Sequence, residues 1–275
     1  YDLSDLEEHY KKLCKILTLY NYLKTDDDVK LFKKDYLIIK DKILKPFIPR
    51  FHQELFIEKI NNLIRNNIKQ ILVGAIPRSG KTYIMAGTIL KDVVSNTKAG
   101  IYNNYILISP APTETLEQYK EVFNDHIDFK RNNIEIVDVK SKKGFKTTNP
   151  NKHYVFIVSK QLLGFHTKDP TDPTEEYKEK DFISKDLVFK IMFFDEAHFA
   201  MTTIKSQDIY KSLDNLKISN KIFVTATYTK PSNVFNIKHI LMWGIEDINF
   251  IKRYDEKSIE KFKEYFYKKF DDNIV

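Results

Sequence analysis

The chain has 275 residues, 42% of them hydrophobic, enough to build the core of one large domain or two small ones. It carries 45 basic against 38 acidic residues, a net charge of +7 and a pI near 9.0, which favours a polyanionic partner. The only cysteine is Cys14, which excludes an intrachain disulfide and a cysteine-rich zinc site and fits a reducing, intracellular compartment. No apolar run reaches the length of a bilayer span, and the first residues do not form a secretory signal.

The chain begins at Tyr1 rather than Met, so a piece of a longer protein is expected. Lysine, asparagine, isoleucine, tyrosine and phenylalanine are abundant and glycine is scarce, as an AT-rich genome would give. Residues 1–45 read as an N-terminal helical extension. Leu3, Leu6, Tyr10, Leu13, Leu17 and Tyr20 recur at spacings of three and four and form one apolar stripe. Thr25, Asp26, Asp27 and Asp28 supply a turn and cap residues, and a second helix over 29–44 ends before Pro46. The pair suits a helical hairpin packed on the main domain; the spacing also admits a partner helix.

From Pro46 the pattern changes. A helix is predicted over 53–66, with strands at 71–74, 105–109, 134–139, 154–159, 189–194 and 221–225. Helices at 81–94 and 113–129 follow the first two strands. Such alternation indicates an α/β fold, a mostly parallel sheet with helices on both faces. Two stretches interrupt it, a lysine-rich one at 140–152 and a proline-containing acidic one at 166–186. Both read as solvated loops, and the first could also touch phosphates. Residues 244–275 read as helix, with Ile259, Phe262, Phe266 and Phe270 on one stripe.

Two short strings carry chemistry. Ala75-Ile76-Pro77-Arg78-Ser79-Gly80-Lys81-Thr82 lies between an apolar strand and an amphipathic helix. A loop wrapped round a β-phosphate needs small or turn-forming residues, then a helix start, so that successive backbone N–H groups face the anion. Arg78, Ser79 and Gly80 provide the loop, Lys81 a charge for the β- and γ-phosphates, and Thr82 a hydroxyl for magnesium. Ala75 stands where the usual pattern has its first glycine. The second string, Asp195-Glu196-Ala197-His198, also follows an apolar strand. Ligands of open α/β sheets bind outside the carboxyl ends of the strands, so the two strings are expected at one edge. Asp195 would hold magnesium and Glu196 would orient or deprotonate the attacking water. A nucleoside triphosphate with magnesium is expected there, ATP once Gln53 is read as below, with Lys81, Asp195 and Glu196 as the catalytic set.

In this order the residues resemble the first RecA-like motor domain of superfamily 2 helicases and translocases, over about residues 48–243. Gly80-Lys81-Thr82 resembles motif I, Asp195 to His198 a DEAH form of motif II, and Thr225-Ala226-Thr227 motif III. The resemblance implies that Gln53, in Arg50-Phe51-His52-Gln53, reads the adenine edge. It implies nucleic-acid contacts at Pro110 and Thr113, within a motif Ia running from Ser109 to Gln118, and at Ser159 and Lys160. Leu116 and Gln118 lie one residue closer than that motif usually has them. It implies that His198, Thr225 and Thr227 couple the nucleotide to the nucleic acid. DNA is favoured over RNA, because the glutamine motif is similar to that of restriction-enzyme-like and repair-type translocases, including relatives in large DNA viruses. A viral factory or virion is one setting this suggests.

The resemblance divides the chain into the extension at 1–45, a RecA-like ATP-binding domain at 46–243 and a helical segment at 244–275. That segment would lead to a second RecA-like domain supplying the arginine finger. Without it, weak hydrolysis and no helicase activity are expected. A nucleotide-binding scaffold that tethers nucleic acid without productive hydrolysis is the alternative. A P-loop kinase or GTPase is disfavoured by the DEAH string and by the lack of a guanine-reading Asn-Lys-x-Asp.

Overall fold

The computed structural model describes residues 45–109, 114–139, 149–159, 187–197, 216–226, 237–253 and 259–272. In chain order these form α1 (Phe51–Arg65), β1 (Gln70–Ala75), α2 (Lys81–Thr97), β2 (Asn104–Ser109), α3 (Glu114–Asp125) and α4 (Ile127–Arg131). There follow β3 (Ile134–Asp138), β4 (His153–Ser159), β5 (Val188–Phe194), β6 (Lys217–Thr225), β7 (His239–Trp243), α5 (Ile245–Lys252) and α6 (Ile259–Asp272). The predicted extension at 1–45, except Lys45, lies outside the described residues, as do the loop over 166–186 and all but the last four residues of the lysine-rich stretch.

The seven strands make one sheet in the order β3-β4-β2-β5-β6-β1-β7, and every neighbouring pair is parallel. This is a RecA-like α/β fold. Parallel strands need both faces covered, so they read as continuous apolar runs. β4 is buried along its whole length and β1 along all but Gln70. Alternate residues feed two cores. Ile71, Val73, Leu107, Ile157, Phe193 and Val224 face one cluster. Leu72, Ile106, Phe156, Met192 and Phe223 face the other. Among the described residues, the helices pack on the first face. The expectation of helices on the second falls outside them.

α2 and α1 lie unusually close. A Cβ on Gly87 would come within 2.3 Å of the Ile57 Cδ1 atom, so α2 has no side chain there. Asn61 bolts the pair from inside α1, its Nδ2 donating to the carbonyls of Ile57 and Thr88 at 2.9 and 3.3 Å. This contact fixes the helix that starts at the phosphate loop against the helix carrying Gln53.

One expectation is corrected and two features are new. The helix predicted over 113–129 is two helices, α3 and α4, broken at His126, which takes an extended conformation. The break is tertiary in origin. Lys45 pairs with this point through its backbone, donating to the Asp125 carbonyl at 2.8 Å and accepting from the Ile127 N–H at 2.9 Å. β7 was not predicted as a strand; it pairs with β1, Ala75 opposite Trp243. The segment after it folds back: α6 buries Phe262, Phe266 and Phe270 in the first core. No described helix is long and apolar enough to cross a membrane.

Candidate nucleotide site

β1 and β5 are separated in the sheet by β6 alone, so their carboxyl ends open side by side. Lys81 starts α2 directly after the β1 loop, and Asp195 and Glu196 directly follow β5. The two strings expected at one edge are in contact there. The Lys81 Nζ donates to the Glu196 Oε1 at 2.9 Å across 115 residues of sequence. Thr225 ends β6 between them and is fully buried.

The loop is shaped by backbone conformation. Gly80 has φ +77° and Arg78 φ +65°, both left-handed. Gly80 adopts this without steric cost, and it has a second reason to be glycine: a Cβ there would lie 2.3 Å from the Gln53 Nε2. That nitrogen donates to the Ser79 carbonyl at 3.0 Å, and the same carbonyl accepts from the His52 Nε2 at 2.8 Å. The Ser79–Gly80 peptide is trans and planar, so drawing its carbonyl toward α1 turns the Gly80 N–H to the opposite side. α1 therefore sets the direction of a loop N–H. The Ser79 hydroxyl is buried and has no hydrogen-bond partner among the described residues.

Gln53 is buried, and its Oε1 accepts the Arg50 N–H at 2.8 Å. Its amide thus both caps α1 and holds the loop. Each polar atom keeps one further bonding position. His52 stacks on Trp243, ring centroids 5.0 Å apart and planes at 18°. Burial holds its imidazole below the ordinary histidine pKa, against the opposing pull of the Ser79 carbonyl, so it is a neutral ring donating from Nε2.

Asp195 is buried and both its oxygens are held. Oδ1 accepts the Glu196 N–H at 2.9 Å, and Oδ2 accepts the Tyr119 hydroxyl of α3. Burial pushes its carboxyl above the usual range, and the Glu196 carboxylate adds to this. The Tyr119 bond and the Lys81 charge pull the other way. Glu196 sits at φ +49°, a strained position for a non-glycine residue, and such positions concentrate at functional sites.

These residues fit a nucleotide with magnesium. A buried carboxylate disfavoured by its surroundings gains from a cation. A loop amide aimed by α1, an unpartnered Ser79 hydroxyl and the Lys81 ammonium suit an anion. Among the described residues no three His, Cys, Asp or Glu side chains converge. Magnesium does not require that, since it takes one or two carboxylates together with phosphates and water.

Sequence reasoning missed Tyr119, His52 and Trp243. The signal for Tyr119 was a hydroxyl within the buried stripe Leu116, Tyr119, Phe123, which demands a partner. Of the expected nucleic-acid contacts, only Ser159 is described; it is buried and ends β4. Pro110, Thr113, Lys160, His198 and Thr227 lie outside the described residues.

Residues 46–230 match the family model of the type III restriction enzyme, res subunit. The chain belongs to this family. Its sequence and fold are of the superfamily 2 type, a first RecA-like domain of the ATP-dependent nucleic-acid motor class. No curated protein matches the chain in sequence. Among solved structures it is similar to the SWI2/SNF2 ATPase core of Sulfolobus solfataricus, a structure in complex with double-stranded DNA, at 14% identity and a TM-score of 0.48. That match covers 71% of this chain and 36% of the other, so the present chain spans about a third of that relative.

Proposed function

We propose that this chain is the ATP-binding half of a nucleic-acid-dependent ATPase that hydrolyses ATP with magnesium to move on or unwind DNA. The observation that carries the reading is the meeting of Lys81 with Glu196, beside Asp195, at the mouth of a loop whose peptide is aimed by Gln53 and His52. Thr82 and Asp195 would hold magnesium, which supplies charge neutralisation on the phosphates when bound. Lys81 binds the β- and γ-phosphates, and in doing so exchanges its carboxylate partner for them. Glu196, released from that pair, is the group that orients the water. Arg78, Ser79 and Gly80 line the phosphates. Gln53 is assigned to the adenine edge through its remaining donor and acceptor positions, in addition to its bonds to the loop.

DNA would track across Pro110, Thr113, Ser159 and Lys160, helped by the net positive charge. His198, Thr225 and Thr227 would report nucleotide state to that face; the DEAH string and the position of Thr225 between the two motifs support this. A second RecA-like domain in the longer protein would provide the arginine finger. The scaffold alternative is disfavoured because binding alone has no need of a strained glutamate beside the lysine.

The test is nucleotide binding. Lys81→Ala is expected to abolish binding of a fluorescent ATP analogue, whereas Glu196→Gln is expected to retain binding and to stop turnover in the protein with its second domain. Equal affinity of wild type and Lys81→Ala would overturn the site assignment. Turnover undiminished by Glu196→Gln would overturn the role of that residue.

A further inference from the structure

Asp195 is held by two donors of different kinds. One, the Glu196 N–H, is local to the turn after β5. The other, the Tyr119 hydroxyl, arrives from 76 residues earlier, on α3. Tyr119 is 1% exposed and its ring belongs to the first core beside Phe123 and Phe129. The phenol is pushed well above its ordinary pKa by burial and by the nearby Asp195 and Glu196 charges, so it stays a donor.

We infer that Tyr119 is a positioning residue for magnesium: its hydroxyl fixes the orientation of the Asp195 carboxylate that the cation uses. The inference rests on the ATP–magnesium reading and adds a residue that no sequence motif marks. A carboxylate with one oxygen tied to its own backbone can still rotate about its side-chain torsions. A second bond from a rigid, fully buried ring removes that freedom. Partners of this kind behind a metal ligand set metal affinity by about 10- to 100-fold. Tyr119 also stands on the helix at the end of the segment expected to touch nucleic acid, next to Gln118, so a shift of that helix would be felt at the carboxylate.

A matched control exists in the same fold. The Tyr105 hydroxyl donates to the Asp92 Oδ2 at 2.7 Å, another buried tyrosine–aspartate bond, but Tyr105 is the second residue of β2, near the opposite, amino-terminal edge of the sheet. Tyr105→Phe therefore removes an equivalent bond without touching Asp195.

The experiment titrates magnesium into the full chain with a fluorescent ATP analogue, for wild type, Tyr119→Phe and Tyr105→Phe. The half-saturating magnesium concentration is expected to rise about tenfold in Tyr119→Phe, with affinity for the metal-free analogue unchanged. Tyr105→Phe is expected to keep the wild-type midpoint. Manganese bound in the presence of nucleotide, read by electron paramagnetic resonance, should weaken in the same variant only. If Tyr119→Phe does not fold, Tyr119→Met decides, since it also removes the hydroxyl while keeping an apolar side chain in the core, and the same rise is expected. A wild-type midpoint in Tyr119→Phe, or in Tyr119→Met where that variant must decide, overturns the positioning role and leaves the nucleotide site standing. An equal shift in Tyr105→Phe also overturns it, since the effect would then be one of stability. Failure of wild type to bind the analogue at all would overturn the ATP reading itself.

Discussion

Gly80 concentrates the local physics of this site. It satisfies two demands that a Cβ would break, a left-handed backbone and the close approach of the Gln53 amide. Gly100 meets only the first: its φ is +69°, and nothing lies within 4 Å of a Cβ placed there. The pair separates conformational strain from collision. Gly100→Ala is expected to cost about 1–2 kcal/mol, the left-handed penalty alone. Gly80→Ala is expected to cost more than that, because Gln53 must give up its bond to the Ser79 carbonyl. It should also weaken nucleotide binding, which Gly100→Ala should not. Urea denaturation and nucleotide titration of both variants check this, and equal behaviour would remove the argument that Gln53 presses on the loop. At this scale the sequence was most legible where chemistry is local. Lys81, Asp195 and Glu196 could be picked out because each follows an apolar strand at a fixed offset. The His52–Trp243 stack joins residues 191 positions apart by number and could not be seen, since neither residue type nor spacing announces such a contact.

Among elements, α6 shows how a stripe can be legible while its destination is not. The apolar spacing of Phe262, Phe266 and Phe270 marked a helix, and it is one. The pattern does not say what covers it. In the fold it lies against α1 and β7, where Phe266 meets Trp243 at 5.2 Å and Phe270 meets Phe56 at 5.3 Å. Polar contacts flank the apolar seam, the Tyr267 hydroxyl donating to the Glu58 carboxylate and Lys59 pairing with Asp271. Since Trp243 in turn stacks on His52, which donates to the Ser79 carbonyl, α6 is three contacts from the phosphate loop. Phe266→Ala is expected to destabilise the chain by about 3–5 kcal/mol, as truncation of a fully buried aromatic does. It should also shift the emission of Trp243, the only tryptophan. Denaturation followed by that fluorescence measures both; a loss below about 1 kcal/mol, the level of surface changes, would mean that α6 is not part of this core. The strand β7 escaped sequence reading for a related reason. Five residues are too short for a period to be visible, and the strand is defined by its pairing with β1. The break at His126 is likewise invisible, because the apolar pattern runs through it and the interruption comes from the backbone of Lys45.

For the molecule as a whole, acid should be the sensitive direction, and the reason lies at both edges of the sheet. His153 begins β4 at the amino-terminal edge, fully buried. Its Nδ1 accepts the Asn103 N–H at 3.1 Å, so its proton is on Nε2 and is donated to the Thr97 Oγ1 at 2.9 Å. Thr97 passes its own proton to the Val93 carbonyl at 2.8 Å. A second proton on the ring would face the Asn103 donor. Burial accordingly holds His153 below its ordinary pKa of 6.5, partly offset by the Asp92 carboxylate. His52, at the carboxyl edge, is depressed in the same way. Below pH 6.5 the unfolded chain therefore takes up protons that the native chain refuses. The stabilisation is complete above pH 6.5 and is lost as pH falls toward the folded-state values. For His153 the slope cannot exceed about 1.4 kcal/mol per pH unit. Asp195 opposes this: its raised pKa makes its burial less costly in acid, in a lower window above its ordinary 3.8. Unfolding free energy from denaturant titrations should therefore be flat between pH 7 and 8 and decline from pH 6.5 to 5.5. His153→Gln should flatten part of that decline whatever it does to the absolute stability. A stability that rises as the pH is lowered through this window, or a slope untouched by the substitution, would show that the neutral imidazole of His153 is not what the fold depends on.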